Sequence, residues 1–142
     1  MEKAYGKQPR ILIADDLQKN IQVIGTILRK EGFQINVAVN GKQALDLAEK
    51  TVPDLILMDI CLNDEVDGIS IAAQLRSVYT VPIVFITAYA DKGIIRRAKS
   101  VEPDGYIVKP YSEDSIYANI EIALHCLGGV LKDLFLRLTR KK

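Results

Sequence analysis

Asp15 and Asp16 follow the apolar run Ile11-Leu12-Ile13-Ala14, Asp59 closes Leu55-Ile56-Leu57-Met58, Thr87 closes Ile83-Val84-Phe85-Ile86, and Lys109 follows Tyr106-Ile107-Val108. Runs this apolar suit parallel strands covered on both faces, and the ligands of open parallel sheets gather beyond the carboxyl ends of the strands. Three carboxylates on one rim repel one another unless a cation sits among them. A hard divalent ion meets that need: Mg²⁺ takes oxygen ligands, keeps several waters and accepts phosphate as a further ligand. With a phosphoryl group on Asp59, Mg²⁺ would take one of its oxygens, the Lys109 ammonium another and the Thr87 hydroxyl the third, because phosphoryl transfer needs charge neutralisation above all. A carboxylate is a competent nucleophile for phosphorus and gives an acyl phosphate. The expected chemistry is phosphoryl transfer onto Asp59, followed by slow hydrolysis.

The elements that must hold these residues are legible from periodicity. Arg10 to Ala14 reads as a strand, and Leu17, Ile21, Ile24 and Leu28 recur at helical spacing in a helix stopped by Gly32. Phe33 to Val39 is a second strand, and Asn40 is placed to cap a short helix carrying Ala44, Leu45 and Ala48 before Pro53. After the Asp59 strand, Cys61-Leu62-Asn63-Asp64-Glu65-Val66-Asp67-Gly68 forms a polar loop, and Ile69, Ala72, Ala73 and Leu75 begin a helix. Pro82 resets the chain for the fourth strand, Asp91 is placed to cap a helix ending near Lys99, and Gly105 to Val108 is the fifth strand. A helix from about Ser112 carries Ile116, Ile120, Ala123 and Leu127. Strands alternating with helices imply an α/β domain with a parallel sheet and right-handed crossovers. Periodicity does not supply the strand order.

Composition narrows the function classes. The length is one domain's worth, and the formal net charge of +1 provides no global drive toward nucleic acid. No apolar run approaches the ~20 residues that cross a bilayer, and residues 1–9 form a polar leader without the apolar core of a signal peptide, so a cytoplasmic protein is expected. Cys61 and Cys126 have no C-x-x-C spacing and only His125 beside them, so reduced thiols are expected and not a zinc site or a disulfide.

Each site residue also has a plain structural reading. Asp15 and Asp16 could cap the first helix, Asp59 could be a solvated loop residue, Thr87 a strand end and Lys109 a surface lysine. Tyr106 could only pack, His125 belongs on a surface, and Arg96 and Arg97 on a solvated helix face. Joint placement at successive strand ends favours the chemical reading.

The pattern resembles the receiver domain of two-component response regulators over roughly residues 9 to 127. The resemblance rests on the acid pair Asp15-Asp16, the acceptor Asp59, the hydroxyl residue Thr87 and Lys109. It implies a flavodoxin-like three-layer α/β/α sandwich with a five-stranded parallel sheet of order 2-1-3-4-5. It implies a metal held by the Asp16 and Asp59 carboxylates and the Cys61 backbone carbonyl, with Asp15 acting through water, and a cis Lys109-Pro110 bond. It further implies a switch in which Thr87 moves toward the phosphoryl group and Tyr106 fills the space it leaves, reshaping the face built from the fourth helix, fifth strand and fifth helix. The connection after Asp59 departs from the family pattern: it lacks the usual proline and is about a residue longer. Tyr89, beside the site, and Cys61 stand where the family tunes phosphoryl lifetime.

The implied partners are a histidine kinase or phosphotransfer protein as donor and a downstream protein on the reshaped face. Residues 128–142 carry Val130, Leu131, Leu134, Phe135 and Leu138 on one helical side, with basic residues on the others. Self-association or a linker helix is expected there ahead of internal packing, and membrane contact last. The chain is expected to be a switch and not a metabolic enzyme. The rivals are a Mg²⁺-dependent phosphatase with an aspartyl nucleophile, whose D-x-D arrangement Ala14-Asp15-Asp16-Leu17 does not supply, and a phosphorylation-independent interaction domain.

Overall fold

Strands that bury both faces need helices on both faces, and a parallel order needs those helices as crossovers. The computed structural model describes residues 8–62, 67–88 and 92–125. In chain order the described elements are β1 (Arg10–Ala14), α1 (Gln18–Lys30), β2 (Gln34–Ala38), α2 (Gly41–Thr51) and β3 (Leu55–Asp59), then α3 (Gly68–Arg76), β4 (Ile83–Thr87), α4 (Lys92–Lys99), β5 (Gly105–Val108) and α5 (Glu113–His125). The strands pair in parallel in the order β2-β1-β3-β4-β5, the flavodoxin-like topology that the resemblance implied. The sheet's direction of winding reverses at β1, and there the crevice beyond the strand ends opens.

Alternate residues of each strand feed separate cores. Leu12, Ile56, Met58, Ile83 and Phe85 face a layer that includes Ala44, Ala48, Ala72 and Ala98 of α2, α3 and α4. Ile11, Ile13, Leu55, Leu57, Val84, Ile86 and Ile107 face Ile24, Leu28, Ile116 and Ile120 of α1 and α5. β3 is the central strand, and every residue in it is buried, including its terminal Asp59. Among the described residues no helix is long and apolar enough to cross a membrane.

Local signals set the ends of the helices. Gly32, at φ 93°, ends α1 with its N–H on the Arg29 carbonyl and that of Phe33 on the Leu28 carbonyl. Phe33 thus belongs to the cap and not to β2, which begins one residue later than the sequence pattern indicated. The Asn40 side chain accepts from the Gln43 N–H at 2.9 Å and caps α2, as expected. Asp67 does the same for α3, accepting from the Ser70 N–H at 3.0 Å. Ser112 Oγ accepts from the Ser115 N–H at 3.0 Å ahead of α5.

One residue of the expected α1 stripe is misplaced by the pattern. Leu17 is 55% exposed, because it lies one residue ahead of the helix in an extended conformation where helical spacing does not apply. The Asp91 cap, the residues 63–66 of the polar loop, Tyr89, Leu127, Cys126 and the tail of residues 128–142 lie outside the described residues, as do the first seven residues of the leader.

Arg76 ties down the edge of the sheet opposite the strand ends. Its guanidinium donates to the carbonyls of Val101, Val81 and Glu102 and pairs with Asp104 at 2.9 Å, while Asp104 also accepts from the Ile83 N–H. Only 21% of the Arg76 side chain is exposed. Removing the cation would strand a mostly buried carboxylate and three carbonyls, so Arg76→Ala is expected to destabilise the domain by about 3 kcal/mol. Urea unfolding followed by circular dichroism measures the loss.

Candidate functional site

The four strand ends deliver their polar residues to one crevice. β1 runs directly into Asp15 and Asp16, β3 ends at Asp59 and β4 at Thr87, and Lys109 follows β5. The Lys109 N–H donates to the Thr87 carbonyl at 2.8 Å, extending the β4–β5 pairing and holding Lys109 beside Thr87. Asp16, Leu17, Asp59, Cys61, Thr87, Ala88 and Lys109 line a cleft of roughly 280 Å³. Asp15 is fully buried and does not line the cleft, but one oxygen each of Asp15, Asp16 and Asp59 lie within 4.8 Å of one another.

The plain reading of the acid pair as a helix cap does not describe this geometry. The N-cap of α1 is Leu17, with no side-chain cap bond, and there is no acid in the first turn. Asp15 Oδ1 accepts instead from the Leu17 N–H at 2.9 Å, a tight turn that leads the chain from β1 into α1.

Asp59 is 4% exposed. Its Oδ1 accepts from the Cys61 N–H at 3.1 Å, and its Oδ2 lies 3.9 Å from Lys109 Nζ. Burial and the Asp15 charge push its carboxyl up to about 7, against the opposing pull of Lys109. An acid crowded in this way is where a cation would be most welcome. An all-oxygen set of carboxylates on the wall of an open cleft fits a hard octahedral ion that keeps part of its water, as Mg²⁺ does. The Cys61 thiol is pushed up by lost hydration and by Asp59, which leaves it a poor metal ligand; what it offers the site is its backbone.

Thr87 is fully buried at the end of β4, and Tyr106 of β5 is half-buried. Tyr106 pairs in register with Phe85, two residues before Thr87, so Tyr106 and Thr87 share the α2–α3–α4 side of the sheet. The Tyr106 ring meets the Phe85 ring edge-on, with centroids 6.3 Å apart. The Lys109-Pro110 bond is cis.

Three contributions escape sequence reasoning. Gly68 starts α3 where a Cβ would collide with the Asp59 carbonyl oxygen, and its N–H donates to the Ile60 carbonyl at 2.7 Å, so the start of α3 packs directly on the backbone that follows β3. Asp67, besides capping α3, pairs at 2.8 Å with Arg97 of α4. Asn20 of α1 reaches Asp15. An acid and a glycine just ahead of an apolar helical run are a signal that could have found the α3 cap, whereas the Arg97 and Asn20 contacts had none.

The chain matches the family described as response regulator receiver domain over residues 11–121. It is 35% identical over 116 residues to the transcriptional regulatory protein PdtaR of Mycobacterium tuberculosis, covering 81% of this chain and 56% of that protein. It is 34% identical over 116 residues to the regulatory protein AtoC of Escherichia coli, covering 81% of this chain and 25% of AtoC. The chain thus spans about half or less of the length of these curated relatives. Among solved structures, the signal receiver domain of a modulated diguanylate cyclase from Desulfovibrio desulfuricans superposes with a TM-score of 0.79 at 35% identity, covering 84% of this chain and 96% of that one. A two-component response regulator from Clostridium difficile gives 0.78 at 30% identity, covering 83% and 97%.

Proposed function

This chain belongs to the response-regulator receiver-domain family, and from that premise we propose that it is a phosphorylation switch whose acceptor is Asp59. The observation that carries the reading is the convergence of Asp16, Asp59, Thr87 and Lys109 on one cleft, with an Asp15 oxygen within 4.8 Å of those of Asp16 and Asp59. A carboxylate oxygen of Asp59 attacks the phosphorus of a phosphohistidine on a kinase or phosphotransfer protein. The P–N bond breaks, its electron pair returns to the imidazole, and an acyl phosphate remains on Asp59. Lys109 neutralises one phosphoryl oxygen and the Thr87 hydroxyl donates to another. Asp16, Asp59 and the Cys61 carbonyl, with Asp15 beside them, would hold Mg²⁺, which would supply the remaining charge neutralisation. Water later attacks the phosphorus, the bond to the Asp59 oxygen breaks, and inorganic phosphate leaves.

The signal leaves through Thr87. Drawn toward the phosphoryl group, its hydroxyl vacates space on the side of the sheet it shares with Tyr106, and that ring, edge-on to Phe85 in this structure, moves to fill it. The surface formed by α4, β5 and α5 changes with it and is read by a downstream protein or a second copy of the chain. The protein turns over no metabolite, and the reading places it in the cytoplasm with its donor.

Incubation with acetyl phosphate and Mg²⁺ tests this. One phosphoryl group per chain, stable in acid and labile in base, is expected, with no sustained release of phosphate from p-nitrophenyl phosphate. Rapid ester turnover without a stoichiometric adduct would instead mark a phosphatase.

A further inference from the structure

Asp15 is the least accessible of the three acids, and neither of its oxygens is left to find its own orientation. Oδ1 accepts from the Leu17 N–H at 2.9 Å, and Oδ2 accepts from the side-chain amide of Asn20, with Nδ2 at 3.3 Å. The amide must present its nitrogen, because the flipped form would set a carbonyl oxygen against a carboxylate. Asn20 lies in the first turn of α1 and is half-buried, so its reach to Asp15 is set by the helix and not by a mobile loop. The two donors fix the plane of a carboxylate whose neighbours are both acidic, and repulsion from Asp16 and Asp59 would otherwise turn it away from them.

We propose that Asn20 is a positioning residue for the divalent-cation site: its amide clamps Asp15 facing Asp16 and Asp59 and thereby sets the affinity for Mg²⁺. The proposal rests on the reading of this cleft as a Mg²⁺ site and adds a residue to it that never touches the ion. Partners of this outer kind, which orient a carboxylate without binding the metal, change affinity by about 10–100-fold when removed. Because Asp15 keeps the Leu17 N–H, the lower end of that range applies.

Isothermal titration of the metal-free full chain with MgCl₂ tests it. Asn20→Ala should weaken Mg²⁺ binding about tenfold, while its thermal midpoint in EDTA falls only slightly, since alanine's better helix propensity offsets part of the donor lost from the buried Asp15. Asn20→Gln, which keeps the amide on a longer stem, should recover part of the affinity. Asn20→Leu, without a donor but of similar bulk, should behave as alanine does and carries the test if the alanine variant does not fold. Wild-type affinity in Asn20→Ala or Asn20→Leu would overturn the proposal, as would a lowered midpoint in EDTA with unchanged binding. If the wild type binds no Mg²⁺ at all, the proposal and the Mg²⁺ reading of the cleft fall together; if the wild type binds and the variants match it, only the role of Asn20 falls.

Discussion

Asp59→Asn is expected to stabilise the metal-free protein at about pH 8 and to lose that advantage as the pH falls toward 4. The sign follows from the direction of the shift. The folded state holds the Asp59 proton up to about 7, whereas an unfolded chain releases it near 3.8, so between those values the folded state binds the extra proton and stability falls as pH rises. Below the lower value both states are protonated and Asp59 costs nothing. Above the upper value the full cost is present, with a ceiling of about 4 kcal/mol. Relaxation and water entry reduce this, and a gain of about 2 kcal/mol, or roughly 6 °C in Tm, is the expected result for Asp59→Asn at pH 8. Mg²⁺ should cut that advantage: at about a hundred times its Kd the ion stabilises the wild type by roughly 2.7 kcal/mol, the variant with one carboxylate fewer gains less, and the order reverses if the variant gains under about 0.7 kcal/mol. Thermal melts of both proteins at several pH values, in EDTA and in Mg²⁺, read out the whole pattern. Equal midpoints at high pH would mean that Asp59 does not carry the strain of the cluster.

Lys109→Met should cut the rate of phosphorylation by about 10²–10³-fold. The Met stem preserves most of the packing in a cleft where the Lys109 side chain is 21% exposed and removes only the ammonium 3.9 Å from Asp59 Oδ2. Developing charge on the transferring oxygens then loses its fixed counterion. A second consequence concerns pH: Lys109 lowers the Asp59 carboxyl against burial and Asp15, so its loss drives that carboxyl further up. The pH profile of labelling without saturating Mg²⁺ should therefore move to higher pH in Lys109→Met. Lys109→Arg would restore the charge but not the shape, since a planar guanidinium does not pack as a compact ammonium does. Stopped-flow or quenched labelling with acetyl phosphate at fixed Mg²⁺ gives the rates.

The strand ends were legible because the physics that places them is local. A fully apolar run of four or five residues cannot have a wet face, and the polar residue that closes it must lie at the sheet's edge. Asp16, Asp59, Thr87 and Lys109 were accordingly found on one cleft, with Asp15 beneath it. That those edges adjoin is a fact of strand order, and periodicity is silent on it; the order came from likeness to a family and was then found in the pairing. Leu17 misled because a helical period was carried one residue past the helix. Asn20 was missed because Asp15 lies in the turn ahead of α1, outside the helical period, and Arg97 because its partner Asp67 caps a different helix.

The switch function turns on which side chain takes the phosphate. The most direct measurement is tandem mass spectrometry of peptides from protein treated with acetyl phosphate and Mg²⁺, with Asp59→Asn treated in parallel. The account predicts one phosphoryl group, on Asp59 in the wild type and on no residue in the variant, lost again after Mg²⁺-dependent hydrolysis. A label on another residue, or equal labelling of the variant, would contradict it.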